Sequence, residues 1–352
     1  MGFISLVITA FVYACKYWIL HGVFGQIEAD VMHHADVYLL IVTASIPFIA
    51  LYNGGAAVFR AMGNSEVSMK VSLLMNAINV SGNAILIYGF HCGTEGVAIP
   101  TLVSRFVAAF IIIKLLLKDK WSLHLERTYR FNPDWSMIRK ILSVGIPNGL
   151  ENSMFQLGKV LVLSLVSTFG TYAIAANAVS NVITLFSILP GQAICLAVTT
   201  VIARCVGAGD YEQAKYYNKK LILLTHIGMA ITIFIVFITL PFILKVYNLS
   251  EAASEATRHI IWFHGFCAIL IWAESFTLPA TFRACGDAKA CMIISTVSMW
   301  IFRVGASYIL GKNLGLGVFG VWVAMIIDWA FRSLLFGIRY FSGKWKKHAL
   351  VS

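Results

Sequence analysis

The sequence predicts an all-α fold, a polytopic helical bundle in a membrane, and three observations carry that prediction. Hydrophobic residues make up 59% of the chain and charged residues 12%, against about 25% charged in an ordinary soluble domain. Mean hydropathy is +0.81. Apolar stretches recur from end to end, each of the roughly 20 residues that a helix needs to cross a hydrocarbon core of about 30 Å. A transmembrane β-barrel would instead need short alternating segments.

About ten spans are expected, at 3–24, 36–58, 68–90, 95–117, 137–168, 178–203, 218–245, 257–280, 290–311 and 317–340. The first has no charged leading region and no small-residue cleavage site, so it reads as a span rather than a removed signal peptide. The loops between spans alternate in charge. Arg60 and Lys70 follow the second span, Lys118, Lys120, Arg127, Arg130, Arg139 and Lys140 the fourth, and Arg204, Lys215, Lys219 and Lys220 the sixth. Arg283 and Lys289 follow the eighth, and Arg339, Lys344, Lys346 and Lys347 end the chain; the intervening loops hold Glu28, Asp30 and Asp36 or Glu251 and Glu255. Positive-inside asymmetry therefore accounts for the +11 net charge without nucleic acid, and puts both termini in the cytoplasm of a multi-pass protein of the cell membrane.

The chain also repeats itself. "AVFRAMGN" at 57–64 returns as "ATFRACGD" at 280–287, about 223 positions later. In that register Met69 falls on Met292, Ser72 on Ser295 and Gly82 on Gly305, and one further residue of shift puts "GTEGVAI" at 93 on "GVFGVWV" at 317. A duplicated four-span unit follows. Copies separated by an even number of spans share one orientation, as in parallel repeats. The second copy is preceded by two spans with no counterpart before the first. The expectation is two pseudo-symmetric lobes of a twelve-helix parent: an N-terminal lobe over 1–120 lacking its first two helices, a cytoplasmic linker at 121–136, and a six-helix lobe over 137–352. A genuine ten-span protein is the alternative.

Three carboxylates lie well inside spans: Glu151, Glu274 and Asp328. Counting from residue 137, Glu151 sits about 21 Å deep, where a charge costs at least about 2.5 kcal/mol and is a functional candidate by default. Asn148, Glu151, Asn152, Gln156 and Lys159 recur at three- and four-residue spacing, which makes a polar stripe on one helix face. Asn177, Asn181 and Thr184 form a second stripe, followed by a Pro190-Gly191 break that could free carbonyls for an ion. Interhelical hydrogen bonding explains the amides equally well. Asp328, Arg332 and Arg303 suggest a buried ion-pair network, and Glu274 is either Arg303's partner or a second cation ligand. Arg60 and Arg283 read as anchors at helix ends.

Other chemistry has little support in the residues. The seven cysteines form no CxxC or metal-ligand cluster, and His33-His34 reads as solvated surface. There is no phosphate-binding GxxxxGK[ST], no HExxH and no nucleophile elbow, so neither ATP use nor an enzyme is expected.

"IPNGLENSMFQLG", "FGTYAIAANAVSNV", "VGAGDYEQAKYYNKK" and the twin "FRAxG" ends together resemble the multidrug and toxic compound extrusion (MATE) family across essentially the whole chain. The resemblance implies twelve helices in two lobes and export of organic, often cationic, compounds against inward Na⁺ or H⁺. The family's seventh-helix carboxylate matches Glu151. The tenth-helix acid of some branches falls on Trp272, two residues from Glu274, and the first-helix acid of others would precede Met1. The chain is thus expected to be a monomeric secondary antiporter in the lipid bilayer, without a cofactor beyond a coupling Na⁺ or H⁺. Its partners would be small-molecule drugs or organic cations, exchanged by alternating access with the coupling ion at Glu151. A lipid-linked oligosaccharide flippase of the same superfamily, or an inactive truncated remnant, are the alternatives.

Overall fold

A computed structural model describes residues 2–18, 20–21, 29–125 and 134–348. Among them the chain forms no strand, a single short turn of helix at Lys16–Trp18, and eleven helices of 13 residues or more. These are α1 Gly2–Ala14, α2 Ala29–Ala44, α3 Ile46–Ala61, α4 Ser65–Gly89, α5 Glu95–Leu116, α6 Trp135–Ser167, α7 Thr171–Gly207, α8 Tyr211–Tyr247, α9 Glu251–Ala284, α10 Ala288–Asn313 and α11 Gly317–Phe341. A short 3₁₀ turn, Lys344–His348, follows.

Seven helices are long and apolar enough to cross a membrane, or eight if α2 and α3, bent by 40°, make one span. Of the ten expected spans, the first and the fifth do not meet that measure of length and composition. α1 has only 13 residues, and part of the predicted 3–24 span falls outside the described residues. α6 has 33 residues, but its stripe of amides, Glu151 and Lys159 makes it too polar to qualify. The predicted 36–58 span breaks at Ser45, whose hydroxyl donates to Val42 O (2.6 Å) and accepts from Arg105 Nη1 (2.7 Å).

Contacts divide the chain into two units, Met1–Phe131 and Asn132–Ser352. In the first, α3, α4 and α5 pack around Tyr52, Ala56, Phe59, Val71, Ala108 and Ile112. In the second, α6, α7, α8, α9 and α11 enclose a core containing Leu165, Met229, Ile233, Trp272, Trp322 and Trp329.

The echoed phrase is an echoed helix end. Gly63 (φ 81°) and Gly286 (φ 85°) stand in the left-handed region, which glycine enters without steric cost. Gly63 N–H donates to Arg60 O and Asn64 N–H to Phe59 O, both at 2.9 Å. Gly286 N–H and Asp287 N–H bond Arg283 O and Phe282 O in the same way (3.1 and 2.9 Å). Each is a Schellman cap that satisfies two orphan carbonyls. "RCVGAGD" ends α7 with a third copy, Gly209 N–H to Val206 O and Asp210 N–H to Cys205 O. The second repeated segment also repeats its backbone. Phe90 N–H bonds Ile85 O and Cys92 N–H bonds Leu86 O; 224 positions on, Leu314 bonds Ile309 and Leu316 bonds Leu310.

The Pro190-Gly191 break does not open. α7 runs unbroken from 171 to 207. Pro190 packs on Gly228, Thr232 Oγ1 donates to Ser187 O (2.9 Å), and the Trp272 indole fills the space beside Gly191.

Candidate functional site

The second unit holds a cavity of about 770 Å³ running along α6, α7, α9, α10 and α11. One wall is aromatic. Trp272 stacks on Phe276 with ring centroids 5.0 Å apart, Phe276 meets Trp329 edge-on at 5.4 Å, and buried His264 stands edge-on between Trp322 (5.5 Å) and Trp329 (5.2 Å). Trp322 Nε1 donates to Asn177 Oδ1 (3.1 Å), so the indole is tied to α7. The lining is polar as well: Asn148, Lys159, Asn181, Thr184, Gln192, Arg283 and Arg303 all border the space.

Of the expected α6 stripe, only Asn148 and Lys159 line the cavity. Asn152 is exposed and donates to Asn148 O (2.8 Å) within its own helix, and Gln156 is exposed. Asn181 likewise donates to Asn177 O (2.8 Å). These amides spend their donors on helix carbonyls one turn back, which a face count could not reveal.

Glu151 is buried but does not line the cavity. Its Oε1 accepts from Arg283 Nη2 at 2.9 Å, tying α6 to the end of α9. Arg283 is therefore more than the anchor expected from its place at a helix end. Glu151 Oε2 and Arg283 Nε are buried without a partner. Buried Asp287 accepts from Arg339 Nε (2.5 Å) and Nη2 (2.9 Å), a bidentate clasp between the α9–α10 turn and α11.

The expected network of Arg303, Asp328 and Arg332 does not close into ion pairs. Asp328 Oδ1 accepts from Ser298 Oγ (2.5 Å), and Oδ2 has no partner. Arg332 reaches Ser275 O at 3.4 Å, with Nε and Nη1 unpartnered. It packs instead over aromatic faces, its guanidinium 4.6 Å from the Phe276 centroid and 5.5 Å from that of Phe155. Arg303 lies 5.5 Å and Lys159 Nζ 5.6 Å from the same Phe155 ring. Quadrupole attraction takes the place that the sequence reading gave to a carboxylate.

Glu274 is neither Arg303's partner nor a cavity residue. Its Oε1 meets His226 Nε2 at 2.9 Å, while His226 Nδ1 lies 2.6 Å from Ile269 O. Glu274 borders a separate groove with Lys219, Ile222 and Tyr340. Sequence reading missed His226 and His264, although a histidine in "LTHIGMA" or "WFHGF" is as anomalous at membrane depth as a carboxylate.

The MatE family model matches residues 1–85 and 147–309. A probable multidrug resistance protein NorM of Thermotoga maritima is 26% identical over 339 residues, 95% of this chain and 72% of that protein. The uncharacterized transporter YisQ of Bacillus subtilis is 27% identical over 352 residues, 97% of this chain and 75% of its own. Among solved structures, an outward-facing MATE family transporter of the MOP superfamily matches with a TM-score of 0.88 at 19% identity, over 98% of this chain and 78% of that one. A MOP superfamily transporter of Pyrococcus furiosus, whose binding pocket of reverse polarity suggests a different function for it, matches at 0.86 and 20% identity, over 97% and 77%. At such identities the structures speak for the fold.

Proposed function

Since the chain belongs to the MatE family and is a multi-pass membrane transporter, we propose that it works as a secondary antiporter, exporting organic compounds against an inward H⁺ or Na⁺ by alternating access. The observation that carries this reading is the Glu151–Arg283 pair, a buried tie between α6 and α9 beside the cavity. A proton or cation taken up at the unpartnered Oε2 of Glu151 cancels the carboxylate charge and so weakens the hold of Oε1 on the Arg283 guanidinium. The incoming ion therefore favours an untied state of the unit. The exported compound favours the tied state, whose cavity is open. Two ligands that select different states displace each other, which is the requirement of exchange. Pro147 lies one turn before Glu151 in α6 and removes a helix hydrogen bond there, so the helix can flex close to the tie.

We further propose that the protein lies in the cell membrane with both termini cytoplasmic, on the alternation of basic loops, and that it acts as a monomer. The test is dye efflux from cells and uptake into reconstituted proteoliposomes under separate pH and Na⁺ gradients. Glu151→Gln should abolish the dependence on whichever gradient drives the parent. If Glu151→Gln exports as fast as the parent and stays gradient-driven, Glu151 is not the coupling group.

A further inference from the structure

The charge on the cavity wall is opposite to what export of an organic cation would need. Lys159, Arg283 and Arg303 line it, and no Asp or Glu is among the described lining residues. Glu151 neutralises Arg283. Lys159 and Arg303 form no ion pair and share the Phe155 ring, which Arg332 also approaches. Cation–π contact is worth about 0.5–2 kcal/mol and leaves the charge in place. In a low-dielectric cavity such charges repel a cation and attract an anion over the whole space. Guanidinium in particular matches carboxylate and phosphate in bidentate geometry. In the same lining, Trp272, Phe276, Trp322 and Trp329 offer ring faces and edges to an apolar body.

We propose that this cavity takes its compound as an organic anion, with an aromatic or otherwise apolar body against Trp272, Phe276, Trp322 and Trp329 and a carboxylate, sulfonate or phosphate between Lys159 and Arg303. The inference rests on the transporter reading and sets the charge of what is carried. Export of an anion from a negative-inside cell is favoured by the membrane potential, by about 2.3 kcal/mol per charge per 100 mV. Exchange for H⁺ or Na⁺ then draws on that potential twice.

The experiment is binding of two fluorescent probes of opposite charge, fluorescein and ethidium, to the full chain in nanodiscs of zwitterionic lipid, read by anisotropy. Fluorescein should bind at least about tenfold more tightly and weaken as salt rises; Lys159→Gln and Arg303→Gln should each weaken it about tenfold, the value of one hydrogen bond to a charged group. Arg303→Lys should retain most of the affinity. Should Arg303→Gln fail to fold, the exposed Lys159→Gln gives the same reading. Tighter binding of ethidium, or fluorescein binding indifferent to both substitutions, overturns the proposal.

Competition by phenyl phosphate and by farnesyl pyrophosphate distinguishes a soluble anion from a lipid-linked one, and competition by either supports an anion site. Counterflow in proteoliposomes separates the two readings. Fluorescein that binds but is never moved counts against antiport and for the anion cavity. Ethidium that is moved without any binding of fluorescein does the reverse.

Discussion

The tie between Glu151 and Arg283 makes a quantitative demand. Breaking a fully buried ion pair by removing one partner costs about 3–5 kcal/mol, and an exposed pair contributes under about 1 kcal/mol. This pair lies between those limits. The Glu151 side chain is 7% exposed and that of Arg283 26%, and a single contact of 2.9 Å joins them. Discounting the Coulomb gain for the wet side of Arg283 leaves a coupling of about 2 kcal/mol, or about thirtyfold in an equilibrium constant. The perturbation is a double-mutant cycle with Glu151→Gln, Arg283→Gln and both together. The assay is equilibrium unfolding in mixed micelles, where each single substitution should destabilise by more than half as much as the double. If the two effects add to within about 0.5 kcal/mol, the residues do not interact energetically, and the tied state has no basis. Glu151→Gln alone should also raise the fraction of protein in the untied state, which a spectroscopic distance between α6 and α9 would report.

Three further outcomes are expected. Gly191→Ala places a methyl 2.2 Å from the Trp272 indole and should destabilise the fold by about 1–3 kcal/mol in the same unfolding assay, with a loss of probe binding as Trp272 is displaced. Ser298→Ala takes the hydroxyl from buried Asp328 and should cost about 1–3 kcal/mol, much of it recovered in the double variant with Asp328→Asn; no recovery means that the cost is not the unpaired carboxylate. Glu274→Gln, in a separate groove beside His226, should leave fluorescein affinity within about twofold. A tenfold change there would mean that Glu274 communicates with the cavity after all.

Much of the fold could be read from the residues because lipid imposes simple rules on them. Span positions follow from hydropathy, and all ten predicted segments correspond to helices, although two fail the length or polarity needed for an unambiguous span. The repeat was legible because a left-handed glycine leaves a mark in the sequence at each Schellman cap. Side-chain partners were not legible. Arg283 lies 132 positions from Glu151, and periodicity gives the face of a helix but not its depth relative to a neighbour. An error of one residue in register moves a side chain by about 1.5 Å along the axis and about 100° around it, enough to exchange one partner for another. For the same reason the sequence offers Glu274 either to Arg303 or to a cation while its partner is His226, and it leaves the amides between ligands and hydrogen-bonding groups while two of them bond their own helices.

The three Schellman connectors have a mechanical meaning. After α3, α7 and α9, three residues, the middle one a left-handed glycine, separate the end of one helix from the start of the next, and the N–H of each of the three is already bonded. A linkage without slack behaves as a fixed elbow. The pairs α3–α4, α7–α8 and α9–α10 must then travel as rigid brackets, and whatever swing a transport cycle requires has to be absorbed partway along the rods. Prolines 147, 190, 241 and 279 stand there, each deleting one hydrogen bond from its helix. Lengthening an elbow by a few flexible residues would decouple the two arms while leaving every cavity residue in place.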